Sequence, residues 1–413
     1  MHRRSAKTVL VILAVVVASA SAVPSSAGPH AALKHKRRVV RPTTTKANGP
    51  VRPASGFRTA TATIGARMIG AHAGNQVVSP VSITAALSML SLGAGGTTRR
   101  ELELVLGIES TDQQRNAVTQ ALASLAMVPP NFDSQEQVVR VANALWVQKG
   151  LALKPSFVAS MREGFGAPVR PIDFASSPGK ATDAINSWAS EQTFGHIPKI
   201  VDGVNPGTLV VLANALYAKL TWLFEADPQQ TTTAPFTRSD RRVVQTPTMQ
   251  LSVPHGAAET VEGVDMAAIP YRGDYEMVVA ATGDPRLLGA LDRPLIGEYS
   301  LSVRMPMFEA RSSFDLLREL ASLLPRTFGP TPDLSEMGVI GAVDKAVHSA
   351  WTKTDEHGTE GAAVTVITVA ASAPPPRTIV LDKTFTYIVR HKPTGLVVFM
   401  GRVDDPTAPV PAS

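Results

Sequence analysis

The sequence predicts a mixed α+β protein built around one large domain, and three observations carry that prediction. Ser79-Pro80 precedes Val81, Ile83, Ala85, Ala86, Leu87, Met89, Leu90 and Leu92, the pattern of a capped helix that is apolar all round and therefore buried. The runs VVRVANALWV (138–147) and TLVVLANALY (208–217) have strand length and many β-branched residues, so both of their faces should be covered in the centre of a sheet. Phe385 to Arg390 and Leu396 to Val403 flank His391-Lys392-Pro393-Thr394-Gly395 and read as a β-hairpin. Helical spacing of Ala184, Ile185, Trp188 and Ala189 lies between the two long runs, and Gly93 to Gly96 ends the first helix. No regular strand–helix alternation is present, which excludes a doubly wound fold.

The chain has 413 residues, 44% hydrophobic and 18% charged, enough to bury a large core without staples. The absence of Cys excludes disulfides, thiol catalysis, thiolate zinc sites and iron–sulfur clusters. Arg3, Arg4 and Lys7 precede a short apolar stretch, Thr8 to Ala22, that closes on Ala20-Ser21-Ala22, so residues 1–22 read as a secretory signal peptide. An uncleaved anchor is the alternative, but spanning a bilayer takes about 20 apolar residues. Residues 23–56 are rich in Pro, Ala and Thr. They carry Lys34, Lys36, Arg37, Arg38, Arg41, Lys46 and Arg52 without one acid, a composition that favours a mobile tail acting either as a spacer or as a weak tether to an anionic surface. Residues 57–407 form the folded domain and 408–413 a short C-terminal tail.

The net charge of +6 at first suggests a nucleic-acid partner. However, 11 of the 40 basic residues lie at or before Arg58, where no acid occurs, leaving 29 against 34 acidic residues in the domain. The domain is mildly acidic, and no nucleic-acid partner is expected.

Catalytic motifs fail one by one. Gly93-Ala94-Gly95-Gly96-Thr97-Thr98 follows a helix rather than a strand and lacks the Gly-Lys-Ser/Thr ending of a phosphate loop. Ser177-Pro178-Gly179-Lys180 matches S-x-x-K, but Pro and Gly occupy the positions where a helical turn should bring Lys180 beside Ser177, and no S-D-N or K-T-G follows. The 9 His show no ligand spacing. No metal and no cofactor are expected, and an enzyme has no positive support.

Residues 355–377 (DEHGTEGAAVTVITVAASAPPPR) differ from everything around them. From Gly358 to Ala373 there is one charge, Glu360, no Pro and no aromatic. Alternate positions Thr359, Gly361, Ala363, Thr365, Ile367 and Val369 are small or apolar, while Glu360 falls on the other set, as in a strand with one buried face.

Val343-Asp344-Lys345-Ala346-Val347-His348-Ser349-Ala350 and Thr354-Asp355-Glu356-His357-Gly358-Thr359-Glu360-Gly361-Ala362-Ala363 resemble the hinge of a serpin, a serine protease inhibitor. The likeness runs over residues 57–407. It includes Val77 to Ile83 with Leu90 to Ala94, Asn214 to Trp222, and Phe399 to Val403. It implies three β-sheets with a set of helices and an exposed reactive-centre loop, in a secreted, bacterial-type, monomeric protein whose partner is an extracellular serine protease. The protease would attack the loop, and the freed loop would enter the large sheet as a new strand.

The resemblance further implies residue roles. Glu356, Gly358, Thr359, Glu360, Gly361, Ala362, Ala363 and Thr365 match the hinge. Ser79, Ser82, Asn214 and His348 match a buried cluster where the strands part, the shutter, and Trp222 matches the top of the sheet, the breach. Gly361 stands where Ala is usual and would loosen a strand by roughly 0.5–1 kcal/mol. Counting the usual loop length places the reactive bond at Ser372–Ala373, with Ala371 as the alternative reactive residue and Val369, Ala370 and Ala371 offered for protease recognition. These small side chains suit elastase-like or subtilisin-like enzymes rather than trypsin-like or chymotrypsin-like ones. Arg377 as bait would need a longer loop. A storage or carrier role on the same fold is the alternative, and no glycosaminoglycan cofactor is expected.

Overall fold

A computed structural model describes residues 52–409, apart from 109–111, 126–137, 292, 340, 342, 344 and 360–373. Its helices are α1 (Ser55–Gly70), α2 (Pro80–Gly93), α3 (Gly96–Leu106), α4 (Asp112–Ser124), α5 (Pro155–Phe165) and α6 (Pro178–Gln192), with two single turns, α7 (Arg286–Gly289) and α8 (Leu316–Glu319). The strands are β1 (Gln76–Val78), β2 (Val138–Gln148), β3 (Val169–Ile172), β4 (Val210–Thr221), β5 (Thr232–Thr237), β6 (Val243–Val261), β7 (Val264–Pro270), β8 (Tyr275–Ala280), β9 (Tyr299–Pro306), β10 (Phe308–Asp315), β11 (Val347–Asp355), β12 (Gly358–Thr359), β13 (Pro376–Val380), β14 (Phe385–His391) and β15 (Val397–Val403).

A six-stranded sheet has the order β10-β11-β12-β4-β2-β3. Its long centre is the antiparallel pair β2 and β4, in register from Val138↔Lys219 to Val147↔Val210. Both faces of that pair are covered, as two near-continuous apolar runs require. Beneath lies α2, where Ser79 accepts a hydrogen bond from the Ser82 amide, Pro80 opens the first turn, and only Ala86 and Leu92 are less than fully buried. Above lies α6, whose Ala181, Ile185, Trp188 and Ala189 recur on one face and pack on Ala144, Trp146, Val211, Ala213 and Ala215.

The second sheet has nine strands, ordered β1-β15-β14-β8-β7-β6-β9-β13, with β5 also on β6. Strand β6 bends between Val253 and Gly256. Its first part pairs with β5 and β9, and its last five residues, Ala257 to Val261, pair with β7. The three expected sheets are thus present, two of them sharing β6. The hairpin β14–β15 is buried along nearly its whole length.

The motif Ser177 to Lys180 requires a correction. Ser177 occupies the N-cap position of α6 without a side-chain capping bond and Pro178 takes the first helical position, so the turn is helical after all, because Pro needs no amide partner there. Lys180 is exposed to solvent.

Replacing Ile185, which is 0% exposed, by Ala removes the centre of the α6 contact and should destabilise the protein by about 2–5 kcal/mol. A lower urea midpoint with an unchanged slope is the expected result.

Candidate functional site at the opening of the six-stranded sheet

Strands β4 and β11 are joined in the hydrogen-bonded ladder through β12. This strand is two residues long. Thr359 pairs with Thr354 on one side and Leu220 on the other, and Gly358 pairs with Asp355 and Thr221. β11 and β12 form a tight hairpin with Glu356 and His357 at its tip, where Asp355 accepts the His357 amide at 3.0 Å. Gly358 has φ +147°, and a Cβ there would lie 2.1 Å from the Leu220 carbonyl oxygen. Only glycine fits between the two strands at this level.

Two hydroxyls and a ring pair hold β12 and its hairpin. The Thr359 hydroxyl lies 2.7 Å from the Tyr271 hydroxyl and 3.3 Å from that of Thr354. Burial pushes the Tyr271 hydroxyl well above the ordinary phenol range, so it stays protonated. Tyr271 stacks on Trp222 with centroids 4.3 Å apart and planes 4° from parallel, and the Trp222 indole N–H donates to the Asp355 carbonyl at 3.0 Å.

The hairpin tip is held from the segment after Trp222. The amides of Trp222 and Ala226 donate to the carbonyls of His357 and Glu356 at 2.9 and 3.0 Å. Thr231 donates to the Glu356 carboxylate at 2.8 Å. Glu225 lies 3.0 Å from the His357 Nδ1 and accepts from Arg272 at 3.0 Å. The Arg272 side chain is 7% exposed and that of Glu225 14%, so this ion pair is largely shielded from solvent.

Farther down the same gap lies the second cluster. The Ser79 amide donates to His348 Nε2 at 2.9 Å, and the Ser79 hydroxyl donates to that of Ser82 at 2.8 Å. Nε2 is therefore the acceptor of a neutral ring. Complete burial holds His348 at a pKa of about 4. Asn214 does not join this cluster by a direct bond, contrary to expectation. Its amide donates to the Asn143 side chain on β2 at 2.6 Å, and its Oδ1 is buried without a hydrogen-bond partner. Asn214, Ser82 and His348 nevertheless line one cavity with Leu87, Leu212 and Val347. The sequence signal for Asn143 lay in Ala142-Asn143-Ala144, the counterpart of Ala213-Asn214-Ala215 on the paired strand.

Glu360, Gly361, Ala362, Ala363, Thr365, Val369, Ala370, Ala371, Ser372 and Ala373 lie outside the described residues. Arg377, weighed as an alternative bait, sits within β13. It is bonded to Asp265 at 2.9 Å and Thr260 at 2.6 Å, with its guanidinium 5.0 Å from the Tyr299 ring centroid, and so is unavailable to a protease pocket.

The six-stranded sheet thus carries a two-residue strand between β4 and β11, with a buried polar cluster on its inner side. The family model for serpins, serine protease inhibitors, matches residues 61–406. The chain is 29% identical to the leukocyte elastase inhibitor of Sus scrofa over 360 residues, 81% of this chain and 94% of that one. It is 31% identical to the neuroserpin of Gallus gallus, over 81% and 87% of the two chains. Among solved structures it is similar to Serpin48 of Tenebrio molitor, at 24% identity and a TM-score of 0.73, covering 85% of this chain and 97% of that one. It is also similar to thyroxine-binding globulin complexed with thyroxine, at 24% identity and a TM-score of 0.71, covering 86% and 99%. The chain belongs to the serpin family. An uncharacterized serpin-like protein of Thermococcus kodakarensis matches at 29% identity over 80% of this chain and 81% of that one. None of these relatives supports the expectation of a bacterial-type member.

The depressed pKa of His348 gives stability a pH dependence. An unfolded His titrates near 6.5. Above that pH the ring is neutral in both states and its contribution is fully present. As pH falls from about 6.5 to 4, only the unfolded chain takes up the proton, and about 3 kcal/mol is lost. His391, also held at about 4 by burial, acts in the same direction. Thermal unfolding from pH 7 to pH 4.5 should show a falling midpoint, and His348→Gln should flatten that fall.

Proposed function

We propose that this protein is a secreted inhibitory serpin that traps a serine protease of small-residue preference, elastase-like or subtilisin-like. The observation that carries the reading is the placement of Gly358 and Thr359 as a strand between β4 and β11. The protease serine attacks the Ser372 carbonyl carbon, the bond to the Ala373 nitrogen breaks, and the new amine leaves with a proton. Ser372 remains esterified to the enzyme, and the cut loop extends β12 downward through the gap.

The register of β12 makes the consequence explicit. Continued without a shift, it sets Glu360 level with Lys219 and Lys353, on the outer face, where a carboxylate meets two cations. Gly361 and Ala363 fall on the inner face, as does Thr365, level with Asn214 and His348. There a hydroxyl could donate to the unpartnered Asn214 Oδ1. A large or charged residue on that inner set would overpack the interior or bury a charge without a partner.

Several features support the details. Relatives named leukocyte elastase inhibitor favour an elastase-like target, as do the small residues Val369 to Ser372. The signal-like residues 1–22 support secretion, and the basic tail 23–56 suits weak attachment to an anionic surface. The purified chain, mixed with elastase or subtilisin, should give a covalent complex of summed mass on a denaturing gel. Simple cleavage without complex would favour a non-inhibitory relative. Thr359→Arg places a charge against Leu220 and Tyr271 and should convert the inhibitor into a substrate, with the complex band lost and the cleaved band gained.

A further inference from the structure

The outer face of the strand pair β10–β11 carries a groove of about 550 Å³, within the size range of small-molecule sites. Side chains alternate across a strand, so Arg311, Ser313 and Asp315 stand on one face of β10. Their ladder partners Trp351, Ser349 and Val347 stand on the same face of β11. From Arg311 to Asp315 the row runs about 13 Å. Ile197 and Ile200 form an apolar wall beside Val347, and Lys345 lies two residues beyond Val347.

Charge is distributed unevenly along this row. At the Lys345 end the charged groups are engaged. Lys345 Nζ donates to the Gly203 carbonyl at 2.9 Å, Lys199 lies 2.9 Å from Asp202, and Asp315 accepts the Leu317 amide at 3.0 Å as the cap of α8. At the other end, Arg311 Nε is buried without a hydrogen-bond partner. The carboxylate nearest in sequence, Glu309, instead accepts the Trp351 indole N–H at 2.6 Å. Two residues from Arg311 on β10, the Ser313 hydroxyl lies 3.1 Å from that of Ser349. One of these hydroxyls donates to the other, which leaves the second O–H to donate to a third atom. A buried donor without an acceptor is unfavourable, and an anionic oxygen placed here satisfies the guanidinium and the hydroxyl together.

We propose that this groove binds an organic monocarboxylate with an apolar body. The carboxylate sits on Arg311 and the Ser313–Ser349 hydroxyls, and the body lies along Val347, Ile197 and Ile200. A planar guanidinium matches the two oxygens of a carboxylate, and the apolar body gains by leaving water for the isoleucine wall. A second carboxylate at the far end would meet Asp315 and Asp202, and like charges brought together are unfavourable. A small inorganic anion gains the head contacts alone. No residue of the hinge, the reactive bond or the Ser79–His348 cluster takes part, so the inference stands or falls separately from the inhibitory reading.

Calorimetric titration of the full chain with octanoate tests it, with octanol, acetate, inorganic phosphate and octanedioate as comparisons. Octanoate should bind at a single site and each comparison at least about tenfold more weakly. Arg311→Ala should weaken octanoate about tenfold or more, the size of a lost charge-assisted hydrogen bond, and Arg311→Lys should recover part of the loss. Ser313 is exposed, so Ser313→Asp keeps its new charge in solvent while placing a carboxylate beside Arg311. It should abolish octanoate binding. Unfolding midpoints measured without ligand check that each variant is folded, and should Arg311→Ala fail that check, Ser313→Asp and the ligand series decide. Octanol binding as tightly as octanoate would overturn the anionic head, and phosphate or acetate doing so would overturn the apolar body. Octanoate that does not bind, or that binds Ser313→Asp as well as the wild type, would overturn the site.

Discussion

The structure depends on backbone hydrogen bonding at one place, the gap between β4 and β11. Strand β12 supplies ladder partners to two residues of each neighbour, and below Thr359 no other described strand lies between them. Each ladder hydrogen bond contributes about 1 kcal/mol net, and an unpaired buried amide or carbonyl is unfavourable. A further strand added here gains on both counts. On the proposed function, this gap is where the cut loop would be received.

The contacts across the gap differ with depth. At the top, Gly358 lets the backbone pass against the Leu220 carbonyl, and the hydroxyls of Thr359, Tyr271 and Thr354 fix the first inward side chain. The Glu225 link to His357 and Arg272 ties the hairpin tip to the chain following Trp222. Lower down, the neutral ring of His348 joins β11 to the start of α2 through the Ser79 amide. Since α2 is buried almost all round, it cannot follow β11 if that strand shifts, and the hydrogen bond must break first.

Much of this was legible in the sequence where the chemistry is local. Ser79-Pro80 announces both the helix and its cap, and the apolar runs at 138–147 and 208–217 are strands because two-sided burial removes alternation. The inward set beginning at Thr359 follows from period-two geometry, and the structure indeed buries Thr359. The sequence is silent where residues far apart meet. Tyr271 reaches Thr359 across 88 residues, and Glu225 reaches His357 across 132, with no local pattern to mark either. The bond from Asn214 to Asn143 could not be read from either strand, because register, which sets the two opposite each other, is a property of the sheet and not of either strand alone. The double membership of β6 was hidden for the same reason, and the helical turn at Ser177 was missed because Pro was weighed as a breaker where it is a starter.

The central claim is that the uncut chain is less stable than the chain with its loop released into the sheet. Its most direct test is the unfolding temperature of the intact protein against that of the same protein cut once within Ala371–Ala373, with the fragments kept together. The account predicts a midpoint well above that of the intact chain, because β4 and β11 then gain a full-length partner. An equal or lower midpoint after a verified single cut would contradict it.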